Sequence, residues 1–228
     1  EPFCVYWIAV SDGESFVDQA NRQRWYPRGA FIFYREWYGC DAEEPAKGCR
    51  TRNEEIASGI LLRSMNNEKR VITLTDSLPF QDRGGETIAE VYARCGVILT
   101  LAHTSRVPGW SQVRSRLIGI EIDSNDKDAN GNIKRHPMIY FVRSCKYARD
   151  YMPSLGYHPS ESKGQDAQES GEASHACDCV RYACLARTKI KDLEPAEPDT
   201  ANLKNEITFD QAVKIVTRTK AKASGSGW

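Results

Sequence analysis

A chain of 228 residues is long enough to bury one sizeable core and still carry an appendage. Its 31 Lys and Arg balance 31 Asp and Glu, so net charge announces no polyanion-binding surface, although a charged groove can coexist with an acidic tail. No apolar run approaches the roughly 18 residues of a membrane span and no signal-peptide pattern opens the chain, so the expectation is a soluble, intracellular protein.

The chain opens Glu1-Pro2-Phe3 instead of with Met, so the expectation is an excised domain with more chain upstream. Eight cysteines are an even number, which permits disulfides. Without a secretory signal the expectation is reduced thiols. Cys4, inside an apolar run, is expected to act as a small hydrophobe.

Residues 3–10 are an apolar aromatic run stopped by Ser11-Asp12-Gly13, the pattern of a buried strand entering a turn. Residues 30–38 repeat that character up to Gly39, and the polar stretch between is expected to be a long loop or hairpin arm. From Asn53 to Met65, Ile56, Ile60 and Leu61 recur at helical spacing behind an Asn-Glu-Glu start, predicting an amphipathic helix. Residues 71–75 are a β-branched strand running into Asp76, followed by a helix over 86–95 and a strand over 97–102. Pro108 is expected to open a helix whose Trp110, Val113 and Leu117 share a face.

Residues 118–122 and 138–142 look like two strands joined by a polar loop, and 174–187 is a further helix. This order predicts one mixed-sheet α/β domain over 1–188. The remainder, 189–228, holds an acidic, proline-bearing linker up to Asn205 and then a short helix. Thr208-Phe-Asp-Gln211 resembles a capping box, with Phe209, Ala212, Val213 and Val216 as its apolar stripe.

Two acids stand where chemistry is expected. Asp76 directly follows a strand, at the carboxyl edge where α/β sheets bind ligands, or else it caps a turn. Asp82, in the loop that follows, is a second-line ligand candidate or a solvated turn acid. If Ser174 caps its helix, His175 and Asp178 lie three apart on one face of the first turn. A carboxylate and an imidazole so placed suit a hard cation such as Mg²⁺ or Mn²⁺, or form an ordinary surface pair.

Other groups are weaker. Asp126-x-Asp128-x-Asn130-Gly131 mimics the start of a calcium loop, but Pro137 occupies the position where a bidentate Glu is required, so a hairpin tip is the better expectation. His175, Cys177, Cys179 and Cys184 suggest zinc, but residues two apart on a helix diverge by about 200°. Glu36 on its strand is either an extra ligand or the partner of an arginine, and the structural role is preferred. Arg106, Arg114 and Arg116, with Trp110, are candidates for tracking phosphates; Arg114 also fits a solvated helix face.

The run His175-Ala-Cys-Asp178-Cys-Val-Arg181-Tyr182 resembles the terminal motif of large terminase subunits, the DNA-packaging motors of tailed phages. Ile139–Cys145, Met152–Leu155, Thr75-Asp76, Gly84–Glu90, Cys95–Val97 and Gly109–Leu117 are similar to that family in order and spacing, over roughly residues 1–188. The resemblance implies a ribonuclease-H-like mixed sheet flanked by helices, with an extra β-hairpin and a C-terminal helical tail. It implies a divalent-metal-dependent endonuclease that cuts concatemeric double-stranded DNA in the bacterial host cytoplasm with two Mg²⁺ or Mn²⁺ ions. Asp76 and Asp178 are then metal ligands, His175 assists, and the portal protein and small terminase subunit are partners. The family's first acid falls on a strand just before the segment matching Pro2-Phe3, and its ATPase domain precedes that. The alternative is a non-catalytic nucleic-acid-binding or assembly module on the same fold.

Overall fold

The computed structural model describes residues 2–18, 20–41, 44, 47–64, 72–82, 84–156 and 174–187. The linker and the tail helix expected after residue 188 lie outside them. The architecture is mixed α/β, with small sheets and five α-helices among the described residues.

The two aromatic runs become the longest strands. β1 (Phe3–Val10) pairs antiparallel with β4 (Phe31–Gly39), and the arm between them folds back as a hairpin of β2 (Phe16–Val17) and β3 (Gln23–Arg24). Asp18 closes that hairpin, accepting from the N–H groups of Ala20 and Arg22 and, at 2.9 Å, from Nε of Arg24. Trp7 faces Arg35 while Ile8 faces Phe33, so Tyr34 is an extra residue in β4. The bulge turns Phe33 and Glu36 to one face, where both meet Tyr6.

Helices cover both faces of this sheet. On one, α1 (Asn53–Arg63) lays Ile56, Ala57 and Ile60 against Phe3, Val5, Trp7 and Trp37, together with Val97. The next helix, α2 (Ile88–Arg94), starts at a capping box in which Thr87 Oγ1 accepts from Glu90 N–H and Glu90 returns the bond to Thr87 N–H. On the other face, α3 (Arg106–Ile118) and α5 (Ser174–Ala186) bury Trp110, Val113, Cys177, Val180 and Cys184 against Phe31 and Phe33. Burial of each large apolar side chain contributes about 1.5–3 kcal/mol.

Several expectations change here. The strands expected over 71–75 and 97–102 shorten to β5 (Leu74–Thr75) and β6 (Thr100–Leu101), which among the described residues pair parallel only with each other. α3 starts at Arg106, before Pro108; proline is tolerated in a first turn because its missing N–H would have no helical partner there. The strands expected over 118–122 and 138–142 take different partners, separated at Pro137, which has no N–H to donate. β7 (Ile120–Glu121) pairs with β8 (Arg135–His136), while β9 (Ile139–Phe141) joins β4 in parallel. α4 (Lys146–Tyr151) has no counterpart in the sequence reading. No helix among the described residues is long and apolar enough to cross a membrane.

Candidate functional site

The parallel register of β5 and β6 fixes one edge. Ala102 donates its N–H to Thr75 O at 2.7 Å, so Asp76 and residues 103–105 leave the pair at the same carboxyl edge. Asp76 is half-buried, and its Oδ1 accepts from Leu78 N–H at 3.0 Å. The turn-capping role is therefore present. Asp82 is exposed and accepts from Gly84 N–H at 2.8 Å, a solvated turn acid.

α5 packs against both β1 and β5. Its first turn carries His175, half-buried, and Asp178 three residues on. Arg181, at 2 % exposure, sends Nε and Nη2 to Asp178 Oδ1 at 3.0 and 2.7 Å. Its Nη1 donates to Thr104 O at 2.5 Å and Ser105 O at 3.2 Å. The guanidinium lies over Tyr182 at 4.7 Å and near Trp110 at 5.7 Å.

Tyr182 follows Arg181 on α5. Burial first, then the charges of Asp178 and, more weakly, Asp76, push its phenol up to about 12 against the opposing charge of Arg181. Asp76 and Asp178 share this region, and His175 is on the helix that carries Asp178.

The remaining candidates have other work. Glu36 caps α4: its two oxygens accept from Tyr147 and Ala148 N–H, each at 3.0 Å, and Oε2 accepts from Tyr6 OH at 2.8 Å. Its partners include two backbone N–H groups and a phenol, the preferred structural role. Cys177 and Cys184 are core residues, and Cys179 donates to Cys4 O at 3.6 Å, which leaves no thiol cluster for zinc. All eight cysteines are free thiols. The 126–131 segment is a hairpin tip, closed by the Lys127–Ile133 bridge, with Asp126 beside His136 at 3.2 Å.

Arg116 and Trp110 correct the phosphate-tracking expectation. Arg116 is fully buried, with Nη1 on Gly29 O at 3.4 Å, Nη2 on Arg187 O and its guanidinium 4.0 Å over Phe31. Trp110 is a core residue at 5 % exposure. A duplex reaches neither. Arg106 and Arg114 stay half-exposed on α3.

Tyr182 and Arg181 were not singled out from the sequence as site residues. Their signal was spacing: three and four positions after Asp178, they share its side of the helix. As donors, Asp76 and Asp178 offer the hard oxygens that Mg²⁺ or Mn²⁺ takes. Among the described residues no group of three or more His, Cys, Asp and Glu side chains converges.

No family model matches the chain, and neither a curated protein nor a solved structure does.

Proposed function

We propose that this chain is the endonuclease domain of a viral DNA-packaging terminase large subunit, of the ribonuclease-H-like class. One observation carries the reading: an acid leaves the carboxyl edge of a parallel strand pair, and the helix packed against β5 of that pair carries a second acid in its first turns. The motif order around His175–Tyr182 supports it. Asp76 and Asp178 hold the cation, which supplies charge neutralisation at the scissile phosphate when bound. Half-buried His175 assists by orienting a ligand or moving a proton.

The substrate is concatemeric double-stranded DNA, the setting is the bacterial host cytoplasm, and the portal protein and small subunit are the partners. The test is nicking of supercoiled plasmid by the full-length protein in Mg²⁺ or Mn²⁺. Asp76→Ala and Asp178→Ala should each slow it by about 100-fold or more, since a cation contributes several kcal/mol to such a transition state. Parental cutting by either variant rejects the reading.

The second reading, a non-catalytic module on the same fold, is favoured by the finding, among the described residues, of no group of three or more His, Cys, Asp and Glu side chains. Metal titration followed by melting temperature separates them. A specific site stabilises by about 2.7 kcal/mol at 100 times its Kd. A module without one gains nothing.

A further inference from the structure

We propose that Arg181 is the positioning residue that fixes Asp178 for cation binding and ties it to the loop beside Asp76. The inference rests on reading Asp178 as a ligand. Nε and Nη2 both end on Oδ1 of Asp178, so the second oxygen, Oδ2, lies outside the ion pair. A carboxylate held by one oxygen in this way presents the other in one direction.

The same guanidinium binds the carbonyls of Thr104 and Ser105. Those residues follow β6 as Asp76 follows β5, at the same edge. Arg181 therefore spans from the acid on the helix to the backbone beside the acid on the strand. Only a planar fork with several donors does this; a lysine ammonium has one nitrogen.

Packing fixes the arginine in turn. Gly109, on α3, leaves the space its stem fills: a Cβ there would lie 2.5 Å from Arg181 Cγ. Trp110 and Tyr182 flank the guanidinium. The pair is built, not incidental: the arginine is buried and its three nitrogens are all engaged.

The test measures Mn²⁺ binding to the whole chain by the loss of the free-ion paramagnetic resonance signal. Arg181→Lys should weaken binding by about tenfold, the range seen when groups that orient a metal ligand are altered. Gly109→Ala keeps the charge but displaces the stem, and should weaken it in the same direction. Arg116→Lys changes an equally buried arginine on the neighbouring helix and should leave binding unchanged. Parental Mn²⁺ affinity in folded Arg181→Lys or Gly109→Ala overturns the positioning role. So does an equal loss in Arg116→Lys, which would mean general loosening of the α3–α5 packing. If the parent binds no Mn²⁺, or Asp178→Asn binds like the parent, the ligand reading of Asp178 itself fails, and the positioning role falls with it.

Discussion

Arg116 and Arg181 are both buried guanidiniums packed between α3 and α5, yet their surroundings differ in kind. Arg116 meets only backbone carbonyls and the face of Phe31, and its Nε has no hydrogen-bond partner among the described residues. Burial accordingly lowers its pKa, with the nearby Arg187 adding to the effect and Cys184 opposing it. Arg181 meets a carboxylate as well as carbonyls. The first joins the helices to the arm near Gly29; the second holds an acid in place. Burial of an arginine is costly in both cases, but only one of the two sites turns that cost into a fixed carboxylate.

The largest expected effect separates the two directly. Arg181→Met removes one partner of a buried pair, and in urea denaturation should cost about 3 kcal/mol. Arg116→Met leaves carbonyls with one donor fewer while retaining packing on Phe31, and should cost about 1 kcal/mol. Equal losses would break the comparison. Glu36→Gln weakens the cap of α4 and the bond from Tyr6, and should also cost about 1 kcal/mol, while leaving Mn²⁺ binding untouched. A change in binding would make Glu36 part of the site.

The smallest effect is alkaline. Burial pushes Cys177 and Cys184 up to about 12 and Cys145 to about 11, from an ordinary 9.0. The unfolded chain releases these protons first, so it binds fewer protons than the native state above pH 9. Their contribution is whole below about pH 9 and is lost progressively towards pH 11–12. The urea midpoint should therefore hold from pH 7 to 8.5 and fall by pH 10.5, less steeply in Cys177→Ala. A flat profile would place those thiols in water.

Legibility in the sequence followed range. The aromatic runs of β1 and β4, the 53–63 helix and α5 declared themselves through local periodicity. α4 did not, because it has six residues and its cap is Glu36, more than a hundred positions away. The face of α3 was misread for the same reason. Trp110, Val113 and Leu117 form an apolar stripe on paper, but Leu117 is 46 % exposed and Arg116 is inside. What draws Arg116 in is Gly29, Phe31 and Arg187, none of them near it in sequence. At the site, Asp76 and Asp178 were legible one at a time, each with an ordinary alternative. That their elements pack against each other became visible only in the contact of α5 with β5.

The packing of α5 on β1 also has a consequence for how the protein is made. One core gathers Tyr6, Phe31, Trp110, Ile139 and Cys177, and β4 pairs with β9 across a separation of 108 residues, from Phe31 to Ile139. Such long-range closure is slow, because loop entropy is lost before the contacts that repay it can form. On the ribosome, β1 and β4 must wait with one face uncovered until residue 186 has been synthesised and has cleared the exit tunnel. Refolding from urea should be slow for a protein of this size, and chains ending before Ser174 should aggregate.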